Sequence, residues 1–214
     1  MPMHSALPDG LTYRPDFISE EMADALVAAL DGSPWDETLK RRVQHFGYRY
    51  DYRARAVTGD AYLGALPDWL RDVVARLVSG QHFVEPPDQV IANEYHPGQG
   101  ISAHVDCVPC FGDIASLSLL SPCEMIFRHP ATGEKRTLTL EPRSLLKMDG
   151  PARYEWTHEI PARLADIVDG EKRPRGRRIS LTFRNVVRTT SAGLTLRPVS
   201  KFVIQRITNR GASR

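Results

Sequence analysis

The sequence reads as a mainly β protein with flanking α-helices, an antiparallel sandwich or jelly roll. Three observations lead there. From residue 89 onward, short runs rich in Val, Ile, Leu, Thr and Phe alternate with Gly and Pro turn signals. Two amphipathic helical stretches precede them, and no internal repeat is present. The 214 residues, 42% hydrophobic and 25% charged, suffice for a single domain with a real core and exclude a disordered chain.

The elements follow in chain order. SEEMADALVAAL (19–30) predicts a helix: Ser19 can cap it, and Glu20 and Glu21 sit in the electropositive first turn. Met22, Ala25, Leu26, Ala29 and Leu30 form its apolar stripe. DWLRDVVARLV (68–78) predicts a second helix, entered after Pro67 and ended by Gly80. Eight strands are expected: QVIANEY (89–95), ISAHV (101–105), ASLSLL (115–120), EMIFRH (124–129), RTLTL (136–140), SLLKM (144–148), YEWTHEI (154–160) and RISLTFRNVV (178–187). EKRPRGRR (171–178) reads as a polar loop broken by Pro and Gly, and KFVIQRI (201–207) as a further strand. The expected organisation is a 1–40 N-terminal helical segment, a 41–187 motif-bearing region and a 188–214 basic extension.

No stretch approaches the ~20 apolar residues of a membrane helix, and MPMHSALPDG lacks the basic start and apolar run of a secretory leader. Cys107, Cys110 and Cys123 are too few for a disulfide framework. A soluble monomer in a reducing, cytoplasmic compartment is expected. Cys107 and Cys110 form a C-x-x-C pair, which without a second pair reads as small buried cysteines rather than a zinc or redox motif.

The net charge of +2 conceals an asymmetry. Residues 1–171 carry 16 basic and 26 acidic residues, a balance of −10, whereas 172–214 carry 12 basic residues and no acid. Such polarity fits either an anionic partner or a solvated segment.

Three groups of residues carry chemistry. His104 and Asp106, spaced i and i+2 on an expected strand, project to one face. His158 follows 54 positions later in another strand. Two imidazoles and a carboxylate suit a facial Fe(II) triad with open positions, and a zinc hydrolase site is the competing metal reading. In the 178–184 run, Arg178, Ser180, Thr182 and Arg184 share one face, and Ile179, Leu181 and Phe183 the other. Either the polar face meets water, or two inward arginines demand anions, for which a dicarboxylate would serve. Finally, RRVQHFGYRYDYRAR (41–55) interleaves basic and aromatic groups, placing Phe46, Tyr48, Tyr50 and Tyr52 on one face if extended. Arg42 and the aromatic residues Phe46, Tyr48 and Tyr50 are candidate substrate contacts, since arginines meet phosphates and rings stack on bases. A core strand with a solvated basic edge has the same pattern.

Taken jointly, Asn93-x-Tyr95-x-x-Gly98-x-x-Ile101-x-x-His104-x-Asp106, then Trp156-Thr157-His158, then Arg178-x-Ser180-x-Thr182-Phe183-Arg184 resemble the AlkB-like Fe(II)/2-oxoglutarate-dependent dioxygenases. The resemblance covers about residues 41–187. RRVQHFGYRY, YHPGQGISAHVD and SLTFR bring it nearest to the branch that hydroxylates a modified wobble uridine in tRNA. It implies a double-stranded β-helix, a jelly-roll barrel, with Fe(II) held by His104, Asp106 and His158. It implies further that Arg178 pairs with the distal carboxylate of 2-oxoglutarate and that Arg184 lies near its metal-proximal carboxylate. Asn93 and Tyr95 would hydrogen-bond this cosubstrate, while Ser180 stands where many members carry Asn. The implied chemistry consumes O2 and 2-oxoglutarate, releases succinate and CO2, and demethylates or hydroxylates a modified base in DNA or RNA. Two alternatives remain: the same oxidation of a protein side chain or small molecule, and a non-catalytic nucleic-acid-binding module.

Overall fold

The computed structural model describes residues 7–58 and 60–187. Its strands are β1 (Leu11–Arg14), β2 (Val43–Phe46), β3 (Gln89–Tyr95), β4 (Ile101–His104), β5 (Phe111–Leu120), β6 (Cys123–Arg128), β7 (Lys135–Leu140), β8 (Leu145–Met148), β9 (Thr157–Ile160), β10 (Ala165–Val168), β11 (Glu171–Pro174) and β12 (Arg178–Val186). The helices are α1 (Glu20–Asp31), α2 (Arg71–Ser79), preceded by a 3-10 turn at Asp68–Leu70, and α3 (Gly150–Tyr154). The strands form a six-stranded antiparallel sheet in the order β1-β8-β5-β12-β3-β2 and a four-stranded one in the order β4-β9-β6-β7. These two sheets make a jelly roll, with β10 and β11 as a separate ribbon.

Local sequence explains the helices. Ser19 Oγ accepts from Met22 N–H at 3.3 Å, closing the start of α1, and the Gly32 N–H donates to Ala28 O at its end. α1 buries Ala23, Leu26 and Leu30, while α2 buries Val73 and Leu77. Both helices lie on the outer face of the larger sheet, against Val90, Ala92, Ala115, Leu117, Leu119, Leu145, Ile179, Leu181 and Phe183. Each large side chain so enclosed contributes roughly 1.5–3 kcal/mol of burial free energy. A second apolar cluster, including Ile114, Met125, Phe127, Leu146, Trp156 and Ile160, fills the space between the sheets.

β12 lies between the two layers of core. Its odd-numbered face packs beneath the helices, and its even-numbered face is buried too, in the barrel interior. The alternation in RISLTFR therefore separates one buried face from another, not core from water.

Several expectations are corrected. Residues 171–178 are not all loop, because β11 pairs with β10 from Val168↔Glu171 to Ala165↔Pro174. All four β11 residues are exposed, so no hydrophobic alternation marks the strand. The 154–160 strand starts only at Thr157, because Pro151 sits in the first turn of α3 and favours helix at 150–154. The N-terminal segment is not only helical: β1 pairs with β8 from Leu11↔Met148 to Arg14↔Leu145. The expected strand at 201–207 and the 188–214 extension lie outside the described residues.

Glu94 is a buried acid on β3, with no side-chain exposure. Arg42 grips it through Nε and Nη2 (2.5 and 2.9 Å), and Arg177 Nε donates to it at 2.6 Å while reaching Asp31 at the end of α1. Burial pushes the Glu94 carboxyl up, but these guanidinium bonds outweigh it and hold the group at about 2, below its ordinary 4.5. The resulting stabilisation is complete above pH 4.5 and is lost as pH falls through about 2. Glu94→Gln should lower unfolding stability by about 1.5–3 kcal/mol at pH 7. Denaturant titrations at pH 7 and pH 3 should show the difference between wild type and variant narrowing in acid.

Candidate metal and cosubstrate centre

The barrel interior holds a cavity of about 230 Å³, walled by both sheets. On the smaller sheet His104 and His158 are register partners across β4 and β9, with ring centroids 4.4 Å apart. β4 ends at His104, so Asp106 reaches the same point from the following loop rather than through a continuing strand pleat. Asp106 Oδ1 lies 3.2 Å from His104 Nε2 and 3.7 Å from His158 Nε2. One ligand-capable atom from each of the three residues falls within 4.8 Å of the others.

Electrostatics prepare the group for a cation. His104 Nδ1 lies 2.8 Å from the Ser102 carbonyl oxygen. A carbonyl only accepts, so Nδ1 carries the proton and the Nε2 lone pair faces the cavity. Burial is the main force depressing the His158 imidazole to about 4, which keeps it neutral and able to ligate. Burial alone would raise the Asp106 carboxyl. The Arg184 guanidinium and the two imidazoles overcome that and hold it well below the usual carboxylate range. Arg184 does so through Oδ2, with Nε at 3.0 Å and Nη2 at 2.7 Å, leaving Oδ1 toward the histidines.

Arg178 is 3% exposed on the inward face of β12. Its Nη2 donates to Ser118 Oγ at 2.9 Å, and its guanidinium lies over the Tyr95 ring, 5.6 Å from the centroid. Nε and Nη1 are buried without a hydrogen-bond partner. A buried guanidinium with orphaned N–H groups is costly, and an anion can accept from them. Ser180, on the same face, shares a 2.7 Å hydrogen bond with Ser116 and lines the cavity beside Asn93 and Tyr95.

The expected substrate contacts scatter. Tyr50 lines the cavity, but Arg42, Phe46 and Tyr48 do not. Arg42 is engaged with Glu94, as described above, and Phe46 packs edge-on against Trp69 under the helices. Tyr48 stacks on Tyr62 over a separate groove. The extended pattern fails at Gly47, whose φ is +76°. A Cβ there would stand 1.9 Å from the Asp88 carbonyl oxygen, so the chain turns where only glycine fits. Arg41, Tyr52 and Arg55 reach the cavity instead. Arg41 Nε donates to Asn93 Oδ1 at 2.9 Å, and its guanidinium lies over Tyr52. The alternation of basic and aromatic residues indicated this segment but not which side chains would turn inward.

The reading of Cys107 and Cys110 as separate buried thiols is also corrected: the two form a disulfide, and Cys123 is the buried free cysteine. A three-residue separation allows the closure, and the bridge lies in the loop just after Asp106.

Comparison with known proteins bears on this geometry directly. The profile of the 2OG-Fe(II) oxygenase superfamily matches residues 10–184. The chain belongs to that superfamily. It is 34% identical over 192 residues to alpha-ketoglutarate-dependent dioxygenase alkB homolog 7 of Bos taurus, covering 85% of this chain and 81% of that one. It is 37% identical over 201 residues to the ALKBH8 homologue of Arabidopsis thaliana. It is 36% identical over 208 residues to the tRNA (carboxymethyluridine(34)-5-O)-methyltransferase ALKBH8 of Mus musculus. These matches cover 83% and 86% of this chain but only 58% and 31% of the two relatives, so the chain spans part of their length. The solved structure of OsALKBH1 superposes with a TM-score of 0.64 at 16% identity, covering 85% of this chain and 99% of that one.

As a 2OG-Fe(II) oxygenase the protein is a dioxygenase that uses Fe(II), 2-oxoglutarate and O2. The residues present fit those groups: three ligand-capable atoms converge, and an orphaned guanidinium, Arg178, lies on the same face of β12 as the cavity-lining Ser180 and Arg184 and over the cavity-lining Tyr95, without itself lining the cavity. Alkylation of the unfolded, unreduced oxygenase should label one thiol per chain, Cys123, and all three cysteines after reduction. Intact-mass spectrometry reads the difference, and three labels before reduction would contradict the bridge.

Proposed function

We propose that this oxygenase oxidises an alkylated or otherwise modified nucleic-acid base, removing a methyl group or leaving a hydroxyl, with His104, Asp106 and His158 as its iron ligands. The observation that carries the reading is the buried Arg178 with two unpartnered nitrogens, set over Tyr95, a residue that lines the cavity of the His-Asp-His group. It accounts for a dicarboxylate cosubstrate as well as a metal.

Bound Fe(II) supplies activation of O2, coupled to decarboxylation of 2-oxoglutarate to succinate and CO2. The chain's residues then have separate tasks. Arg178 offers the distal carboxylate N–H groups that nothing among the described residues accepts. Asn93, whose Oδ1 already accepts from Arg41, offers its amide N–H to the cosubstrate, and Tyr95 supplies a ring wall and a hydroxyl. Arg184 keeps Asp106 ionised and aimed and lies on the metal-proximal side. The apolar lining from Ile114, Met125, Leu146 and Ile160 excludes water from the reacting groups.

Two features support a nucleic-acid substrate. Arg41, Tyr50, Tyr52 and Arg55 line the cavity from the 41–55 segment, a combination that can meet phosphate and stack on a base. The ALKBH8 relatives, one named for its action on a tRNA uridine, are similar over more than four-fifths of this chain. The exposed part of this surface gives binding a steep salt dependence.

Succinate formation with a panel of modified nucleosides, oligonucleotides and tRNA, read by mass spectrometry, tests the substrate; products from free amino acids or proteins alone would overturn it. Asp106→Ala should abolish Mn(II) binding measured by calorimetry without O2. Arg178→Met should keep Mn(II) but weaken 2-oxoglutarate binding about 10–100-fold, the worth of a charge-assisted fork. RNA affinity should fall as salt rises in wild type, and Arg55→Gln should flatten the slope.

A further inference from the structure

Arg153 is the largest fully buried side chain of the described residues, 2% exposed, and it takes no part in the roles above. It belongs to α3, the short helix that leads from β8 into β9 and so to His158. Its guanidinium spends its donors on the loop after β4 and the first two residues of β5. Nε donates to Gly112 O at 2.9 Å, Nη1 to Asp106 O at 3.1 Å, and Nη2 to Cys107 O at 3.3 Å and Phe111 O at 3.2 Å. All four acceptors are backbone carbonyls of residues 106–112, and the Tyr154 ring covers the guanidinium at 5.0 Å.

This placement answers a problem set by the fold. The strand carrying His104 ends at that residue, and its pairing with β9 is irregular between Ile101 and His104. Asp106 therefore has no sheet ladder to fix its backbone. Arg184 fixes one oxygen of its carboxylate but cannot fix its Cα. Arg153 binds the Asp106 carbonyl itself, that of Cys107 in the same loop, and those of Phe111 and Gly112 at the start of β5, so it ties the loop to the strand from the segment that leads to His158. A planar fork is the side chain that can meet four carbonyls at once, and Lys has neither the reach nor the geometry.

We propose that Arg153 is a positioning residue for the metal centre: by gathering the carbonyls of 106–112 it sets Asp106 against His158, and so sets metal affinity. The proposal rests on the reading of Asp106 as an iron ligand. It assigns Arg153 no contact with metal, cosubstrate or substrate.

The test is anaerobic Mn(II) titration, followed by the electron paramagnetic resonance signal of free Mn(II), alongside thermal melting of the metal-free protein. Arg153→Lys should weaken Mn(II) binding about tenfold, the low end of what loss of an outer ligand support costs. Its 2-oxoglutarate affinity at saturating Mn(II) should stay at the wild-type value. Tyr154→Ala, which only uncovers the guanidinium at a 41% exposed position, should weaken Mn(II) in the same direction by a smaller factor. Val73→Ala, a core change under the helices, should lower the melting temperature with no effect on Mn(II) affinity, separating positioning from general stability. Wild-type Mn(II) affinity in Arg153→Lys, with Asp106→Ala unable to bind, would overturn the proposal and leave the ligand reading intact. Wild-type affinity in Asp106→Ala would overturn both. If Arg153→Lys does not fold, Tyr154→Ala decides, and an unchanged affinity there overturns the proposal.

Discussion

The ion pair between Arg184 and Asp106 is the interaction on which the barrel interior depends. Each partner is about nine-tenths buried, and a charge left alone there would cost several kcal/mol. The two guanidinium nitrogens meet a single carboxylate oxygen, which leaves the other free to face two imidazoles. Neutralisation and orientation are thus one act. It requires the polar face of β12 to point into the barrel, which in turn requires the opposite face to be covered. α1 and α2 supply that cover through Leu26, Leu30, Val73 and Leu77. The helices lie far from the chemistry in sequence, yet they are what allow Arg178 and Arg184 to be interior residues.

The same logic orders the cosubstrate end. Arg184 has Asp106 and Gln89 as partners, whereas Arg178 has only Ser118 and the Tyr95 ring. Two arginines six residues apart on one strand face therefore differ in what they still need. One is engaged on all three nitrogens by the chain, and the other keeps two nitrogens without a partner among the described residues.

How much of this was legible follows from what each signal measures. Helix α1 was visible because its cap and its apolar stripe are local, and β3 because Val90, Ile91 and Tyr95 favour a strand and no Gly or Pro interrupts it. The even face of β12 was visible as a pattern but not as a cavity wall, since period two reports alternation and not what each face meets. The three metal-binding candidates were separable from other histidines only through the joint motif: Asp106 sits past the end of its strand, so the structure brings it to His104 by the following loop and not by the pleat spacing. Arg42 and Phe46, before the turn at Gly47, are engaged by Glu94 and Trp69, and after it Tyr48 and Tyr50 reach different surfaces, which no alternation in the sequence foretells. Arg153 gave no signal, because an arginine in a five-residue helix looks solvated until the loop that wraps it is seen.

The basic excess after residue 171 takes on a different meaning once its partners are known. Arg175 clasps Asp166 through both carboxylate oxygens, Arg177 bridges Glu94 and Asp31, and Arg173 faces Glu141. Arg178 and Arg184 point inward. Of the six basic residues between 172 and 187, Arg173, Arg175, Arg177 and Arg184 are thus paired with acids, so part of the segregation is complementarity within one molecule; the other six basic residues of the segment lie outside the described residues. Attraction for an anionic polymer cannot be inferred from those four paired charges. It rests instead on Arg41 and Arg55, which line the cavity from a segment the charge count had passed over. For such a site the placement of two cations carries more information than the sum of twelve.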